Sequence, residues 1–246
     1  MALRILIVDD SLLFRKVLSD VIGKIAEAEI VGTAPNGKIA LEKQEKLKPD
    51  LVTLDIDMPD MNGVQVYKEL VRRGDAPGVI ILSGINPSSG NLTMQALELG
   101  AFDFVPKPAT GSFEEGKTLL FSALQPVIQA FLQRWRIRAI LSSPKQLSES
   151  RPATDLLPPS SPLPKQNPAS WGKADLLVIG ISTGGPMALH KIFSELSAPL
   201  SVPLLIVQHI PPFFSGALAE SLREKHGLPI SEAKNGELLE PGRIYL

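Results

Sequence analysis

Cysteine is absent from the 246 residues, which excludes disulfides and thiolate metal sites. No uninterrupted apolar run approaches the ~20 residues that a membrane-spanning helix needs. The opening MALRILIVDDS is apolar only as far as Asp9 and Asp10, and it carries no cleavable signal pattern. A surplus of charge is missing too, the formal net charge being −1. The one basic cluster is Arg134, Arg136 and Arg138 in RWRIR, either a basic contact surface or a solvated helix end. It is too small to hold a polyanion by itself. These absences point to a soluble chain without membrane insertion or a nucleic-acid partner, suited to a reducing cytoplasm.

What is present falls into two parts, and the length suffices for two modest domains. The 31 residues Ser142–Gly172 hold seven prolines and seven serines, with few large apolar side chains besides Leu147, Leu156, Leu157 and Leu163. Such a stretch buries too little surface to offset its ordering entropy and reads as a tether. The expected division is a first domain at 1–125, a helix end and linker at 126–173, and a second domain at 174–246.

In the first domain, apolar runs at 3–8, 29–33, 50–54, 79–82 and 102–105 read as strands. Amphipathic stretches at 12–25, 37–47, 63–73, 90–99 and 114–132 read as helices, the last with Pro126 placed to kink it. This alternation predicts a doubly wound parallel α/β sheet in the order 2-1-3-4-5, with a site at the carboxyl ends of strands 1 and 3. Past the tether the α/β theme returns: strand 174–180, helix 185–196, strand 203–208, helix 214–225, then short runs near 230–233 and 243–246. Closing on a strand-like RIYL, this second doubly wound domain reads as incomplete, and the chain as truncated at its C-terminus.

Asp9 and Asp10 end strand 1, and Asp55 ends strand 3. Neighbouring strands bring these carboxylates together, where they raise one another's pKa unless a cation neutralises them. An oxygen-only ligand set with room for water favours Mg²⁺. Ser83 and Lys107 close two further strands. A carboxylate nucleophile, a metal, a hydroxyl and a fixed ammonium are what holding a transferred phosphoryl group requires.

The pieces VDDS at 8–11, LDIDMPDMNG at 54–63, LSG at 82–84 and GAFDFVPKP at 100–108 resemble a response-regulator receiver domain across residues 1–125. The resemblance implies that Asp55 accepts phosphate from a chemotaxis histidine kinase. Asp10, Asp55 and the backbone carbonyl of Asp57 would ligate Mg²⁺ with help from Asp9. Ser83 would hydrogen-bond the phosphoryl oxygens and Lys107 would pair with them. Phe104 would take the switch-aromatic position, against the alternative of a simply packed phenylalanine.

After the tether, GISTGGP at 180–186 follows an apolar strand. It satisfies G-x-S-x-G, which exposes Ser182 at a strand-to-helix turn and offers the Thr183 amide to an oxyanion. A phosphate-binding turn or a plain tight turn competes, although the lysine and glycine spacing of a P-loop are missing. Of the three histidines, His190 lies two turns into the following helix and reads as a surface residue. His226 reads as a helix C-terminal residue before Gly227. His209 ends the next parallel strand and would stand beside Ser182 as its base, against a core or capping role.

DLLVIGISTGGPMAL, PLLIVQHIPPFFSGALAESL and GELLEPGRIYL resemble the catalytic domain of chemotaxis protein-glutamate methylesterases, and receiver, tether and esterase occur in that family's order. The resemblance implies a nucleophilic Ser182 and a basic His209. It also implies hydrolysis of glutamyl methyl esters, and deamidation of glutamines, on methyl-accepting chemoreceptors, with no cofactor for the ester chemistry. The family's orienting aspartate has no counterpart here. Asp175, the sole aspartate after the tether, begins the strand roughly 20 Å from Ser182. The glutamates at 195, 220, 224, 232, 237 and 240 have no visible reason to approach His209. The expectation is a weak esterase. The alternative is a phosphorylation-controlled receptor-binding regulator without hydrolysis.

Overall fold

In a computed structural model, the chain is described at residues 2–74, 76–108, 113–141, 173–196 and 200–246. The Ser/Pro-rich stretch expected at 142–172 lies outside the described residues. The first sheet comprises β1 (Leu3–Val8), β2 (Ala28–Ala34), β3 (Leu51–Asp55), β4 (Gly78–Ser83) and β5 (Asp103–Pro106). All neighbours are parallel in the order β2-β1-β3-β4-β5, as the alternation of elements predicts.

The central strands are apolar on both faces because helices cover both. On one face Leu3, Ile5 and Ile7 pack with Leu18 and Ile22 of α1 (Leu12–Ile22) and Leu124 of α5 (Phe113–Leu141). On the other, Leu6, Val8, Val52 and Leu54 meet α2 (Gly37–Leu47), α3 (Gly63–Arg72) and α4 (Pro87–Glu98). Polar residues set the helix starts: Ser11, Asn36, Asn62 and Asn86 each accept from a first-turn amide, and Asn62 forms a capping box with Gln65.

Several boundaries differ from expectation, α1 for one ending at Ile22 instead of residue 25. With Asn86 as cap and Pro87 in the first turn, α4 begins at Pro87 instead of residue 90. Helix α5 runs through Pro126 to Leu141 instead of ending near 132. Phe131 and Trp135 keep the extra turns packed on the first core. Two arginines of the basic cluster are tied down there, Arg136 pairing with Glu27 and Arg134 lying 5.9 Å over the Phe102 ring.

The second sheet is also parallel, in the order β6-β7-β9-β8, from β6 (Leu177–Ile181), β7 (Leu204–Gln208), β8 (Ile230–Ser231) and β9 (Ile244–Tyr245). Strand β6 starts three residues later than the apolar run suggests. Helices α6 (Gly185–Glu195) and α7 (Pro212–His226) pack on one face through Leu189, Phe193, Phe214, Leu218 and Leu222. On the opposite face Val178 and Val207 stay exposed. The two units meet along α4 and β5 and share one apolar cluster. There the Phe104 ring packs against Phe214 with centroids 4.6 Å apart, and the Glu98 carboxylate accepts from the Ser221 hydroxyl. No helix among the described residues is long and apolar enough to cross a membrane.

Candidate functional sites

Parallel strands deliver the first site by ending together. Carboxylate oxygens of Asp9, Asp10 and Asp55 all lie within 4.8 Å of one another, Asp10 exposed and the other two buried. Lys107, which follows β5, reaches in: its Nζ hydrogen-bonds Asp9 Oδ2 at 2.8 Å and lies 2.8 Å from Asp55 Oδ2. The ammonium thus bridges the two buried carboxylates. Burial pushes the Asp55 carboxyl up to about 6 against the pull of Lys107, with Asp9 adding to the rise. Burial opposes the charge of Lys107, but Asp55 and Asp9 outweigh it and hold the ammonium above its ordinary pKa. A three-carboxylate, oxygen-only pocket with one exposed edge suits a hard divalent cation.

Three features of this pocket are invisible in the motifs. The Phe14 ring lies 4.8 Å from Lys107 Nζ. Arg15 Nη1 donates to the carbonyls of Asp9 (2.7 Å) and Asp10 (2.9 Å), bracing the loop after β1. The Asp57 side chain is occupied by the Ser89 hydroxyl of α4, while the Asp57 amide donates to Asp55 Oδ1 at 3.2 Å. Ser83 ends β4 with its hydroxyl donating to the Gly84 carbonyl at 3.1 Å. Phe104 is packed, and its partner Phe214 belongs to the second unit.

The second site also lies at adjacent strand ends. Residues Ile181 and Gln208 are register partners, and the His209 amide extends the ladder to the Ile181 carbonyl at 2.9 Å. The next residue of each strand is therefore brought side by side: Ser182 Oγ lies 3.3 Å from His209 Nδ1, both side chains exposed. The turn uses its two glycines differently. Gly184 has φ +73°, the left-handed region that glycine enters freely, whereas Gly185 is needed for space. A Cβ at 185 would lie 1.8 Å from Gln208 Oε1.

Gln208 is the residue that motif reading missed. Its Nε2 donates to the Ser182 carbonyl (3.0 Å) and the His209 carbonyl (3.2 Å), clamping both loops with one amide group. The doubled glycine was the available signal, since only one of the pair is required by the backbone.

Helix α6 begins at Gly185, so Thr183 sits one residue ahead of the cap, its side chain exposed. The neighbouring Gly184 amide is engaged, donating to Asp103 Oδ2 of the first unit at 2.7 Å. Asp103 is 7% exposed, its other oxygen accepts from the Phe104 amide, and burial raises its pKa against those two bonds. Ser182 and His209 open onto a cavity of about 550 Å³ between the units, with Asp103 and Pro126 on its far wall.

One expectation is overturned: His190 is buried, not a surface residue. Its Nδ1 meets His226 Nε2 at 3.1 Å between α6 and α7, and burial, helped by Lys225, pushes it down to about 4. His226 does end α7, with Gly227 as cap. No hydrogen bond joins His209 to a carboxylate among the described residues. Asp175 precedes β6, while Glu220 pairs with Arg223, Glu232 accepts from Ser215 and Glu240 pairs with Arg243.

Comparison with known proteins matches each half separately and the whole together. The family profile for the response regulator receiver domain covers residues 5–113, and that for the CheB methylesterase covers 177–246. A protein-glutamate methylesterase/protein-glutamine glutaminase of Desulfotalea psychrophila is 41% identical over 99% of this chain and 66% of its own length. One of the same designation from Treponema denticola is 36% identical over 99% of this chain and 68% of its own. The chain spans about two thirds of the length of these relatives. Among solved structures, the response regulator domain of Thermotoga maritima CheB is similar at 34% identity, covering 53% of this chain and 97% of that one with a TM-score of 0.47.

Proposed function

The chain belongs to the protein-glutamate methylesterase/protein-glutamine glutaminase family, and from that premise we propose a serine hydrolase for glutamyl methyl esters and glutamine amides of chemoreceptors, controlled by phosphorylation of its first unit. The observation that carries this reading is the 3.3 Å approach of Ser182 Oγ to His209 Nδ1. His209 takes the hydroxyl proton as Ser182 attacks the ester carbonyl. The Thr183 backbone amide, just ahead of α6, stabilises the oxyanion, joined by that of Gly184 when Asp103 releases it. The proton passes to the leaving methoxide, releasing methanol, or to the leaving amide, releasing ammonia. Water activated by His209 then frees Ser182 and a glutamate.

In the first unit, Asp9, Asp10, Asp55 and the Asp57 carbonyl would hold Mg²⁺, which supplies charge neutralisation for the incoming phosphoryl group. Asp55 attacks the phosphohistidine of a chemotaxis histidine kinase. Lys107 pairs with the transferred group and Ser83 hydrogen-bonds it. The Asp103–Gly184 bond and the Phe104–Phe214 contact favour a control in which the resting first unit occupies the second unit's donor amide and covers its cleft. The first unit spans 1–125, with α5 running on into the connecting stretch 126–173, and the hydrolytic unit spans 174–246. The whole works in the cytoplasm, without nucleic acid or membrane insertion.

With no carboxylate on His209 among the described residues, turnover is slow, since losing an orienting carboxylate costs on the order of 10⁴ in comparable sites. That same observation favours a second reading, a receptor-binding regulator without hydrolysis. Methanol release from a methylated chemoreceptor separates the two. Hydrolysis predicts measurable release that Ser182→Ala abolishes; the binding reading predicts none from either form.

A further inference from the structure

Ser83 has a second buried attachment that the phosphoryl chemistry does not explain. Ser83, Ser89 and Thr93 are each 0% exposed. Thr93, on the second turn of α4, places Oγ1 2.8 Å from Ser83 Oγ and 2.7 Å from the Ser89 carbonyl. The Ser89 hydroxyl in turn donates to Asp57 Oδ2. Two hydroxyl rungs thus join the start of α4 to the end of β4 and to the loop after β3. A threonine in a helix commonly bonds the carbonyl four residues back. One hydroxyl proton serves one acceptor: with Ser83 donating to the Gly84 carbonyl, Thr93 donates to Ser83, a tertiary contact that helix geometry alone does not demand.

We propose that Thr93 is a positioning residue for Ser83: its hydroxyl holds that of Ser83 at the β4–α4 junction and sets how readily Ser83 turns to a phosphoryl group on Asp55. This rests on Asp55 as phospho-acceptor. When Ser83 turns, α4 loses the rung that Thr93 provides. The far end of α4 holds the second unit, where Glu98 accepts from Ser221 through its carboxylate and from Lys225 through its carbonyl (3.3 Å). Helix α4 therefore links the phosphoryl pocket to the docked hydrolytic unit through side-chain hydroxyls.

Thr93→Val isolates the rung. It keeps the shape, Ser83 keeps the Gly84 carbonyl as acceptor, and the Ser89 carbonyl keeps its helical partner, so nothing buried is orphaned. The full chain, with Mg²⁺ saturating, is titrated with the phosphoryl mimic beryllofluoride and followed by fluorine NMR. Removing one neutral hydrogen bond from the resting state tightens binding by roughly two- to tenfold. Thr93→Ser retains the hydroxyl and binds like the unaltered chain. Because Thr93 acts through Ser83, adding Thr93→Val to Ser83→Ala changes nothing further. Unchanged or weaker binding by Thr93→Val, or tightening that persists without the Ser83 hydroxyl, overturns the proposal. An unaltered chain that does not bind beryllofluoride overturns the phospho-acceptor reading beneath it.

Discussion

Replacing Asp103 with asparagine tests how the two units are held together. The carboxylate serves two donors at once: Oδ1 accepts from the Phe104 amide at 2.8 Å and Oδ2 from the Gly184 amide at 2.7 Å. Asparagine has the same shape but one oxygen, so its NH₂ must face one of those N–H groups. A hydrogen bond to a charged group is worth about 1.5–3 kcal/mol net. Part of that loss is offset, because burial already disfavours the ionised form of Asp103. A net weakening of about 1–2 kcal/mol moves the balance towards separated units by roughly 5- to 30-fold. Amide hydrogen exchange over residues 182–190 reports that opening directly, and it should accelerate by about this factor in Asp103→Asn. Exchange that is unchanged or slower would show that the bond does not hold the units and would refute the reasoning.

Further outcomes follow from the second unit. Gln208→Leu removes the amide that clamps the Ser182 and His209 carbonyls, so kcat should fall by about 10²-fold with KM little changed, as for any small misplacement of reacting groups. A parallel rise in KM would show that Gln208 acts on binding instead. His190 carries a pH signature. Its folded pKa is about 4 against an ordinary 6.5, so between those values the unfolded chain binds more protons. The His190 contribution to stability should be level above pH 6.5 and fall by about 2–3 kcal/mol as pH drops to 4. The raised Asp55 carboxyl acts in the opposite sense, so the effect is the difference between the unaltered chain and His190→Leu. Urea unfolding read against His190→Leu, in which that slope is reduced, checks the sign and the size.

Much of this was readable beforehand, and the reason is geometric. Parallel strands buried on both faces are written as apolar runs, and the residues just past them gather at one edge. Asp9, Asp10, Asp55 and Lys107 meet on that principle, and so do Ser182 and His209. What escaped the sequence depends on which surfaces meet. Asp103 looks like a strand residue until the second unit seats Gly184 on it. His190 reads as exposed because the packing of α7 against α6, which buries it, has no periodic mark. Gly63 resembles an ordinary turn glycine, yet a Cβ there would lie 2.4 Å from the Asp55 carbonyl oxygen, so its smallness protects the end of β3. The last turns of α5 were missed because RWRIR reads as a solvated helix end, whereas Phe131 and Trp135 hold those turns on the core.

The central claim is that His209 makes Ser182 nucleophilic. Labelling the chain with a fluorophosphonate and locating the adduct by peptide mass spectrometry tests it most directly. The account predicts a single adduct at Ser182, forming at least about 100-fold more slowly in His209→Ala. An adduct elsewhere, or equal rates at Ser182 with and without the imidazole, would contradict it.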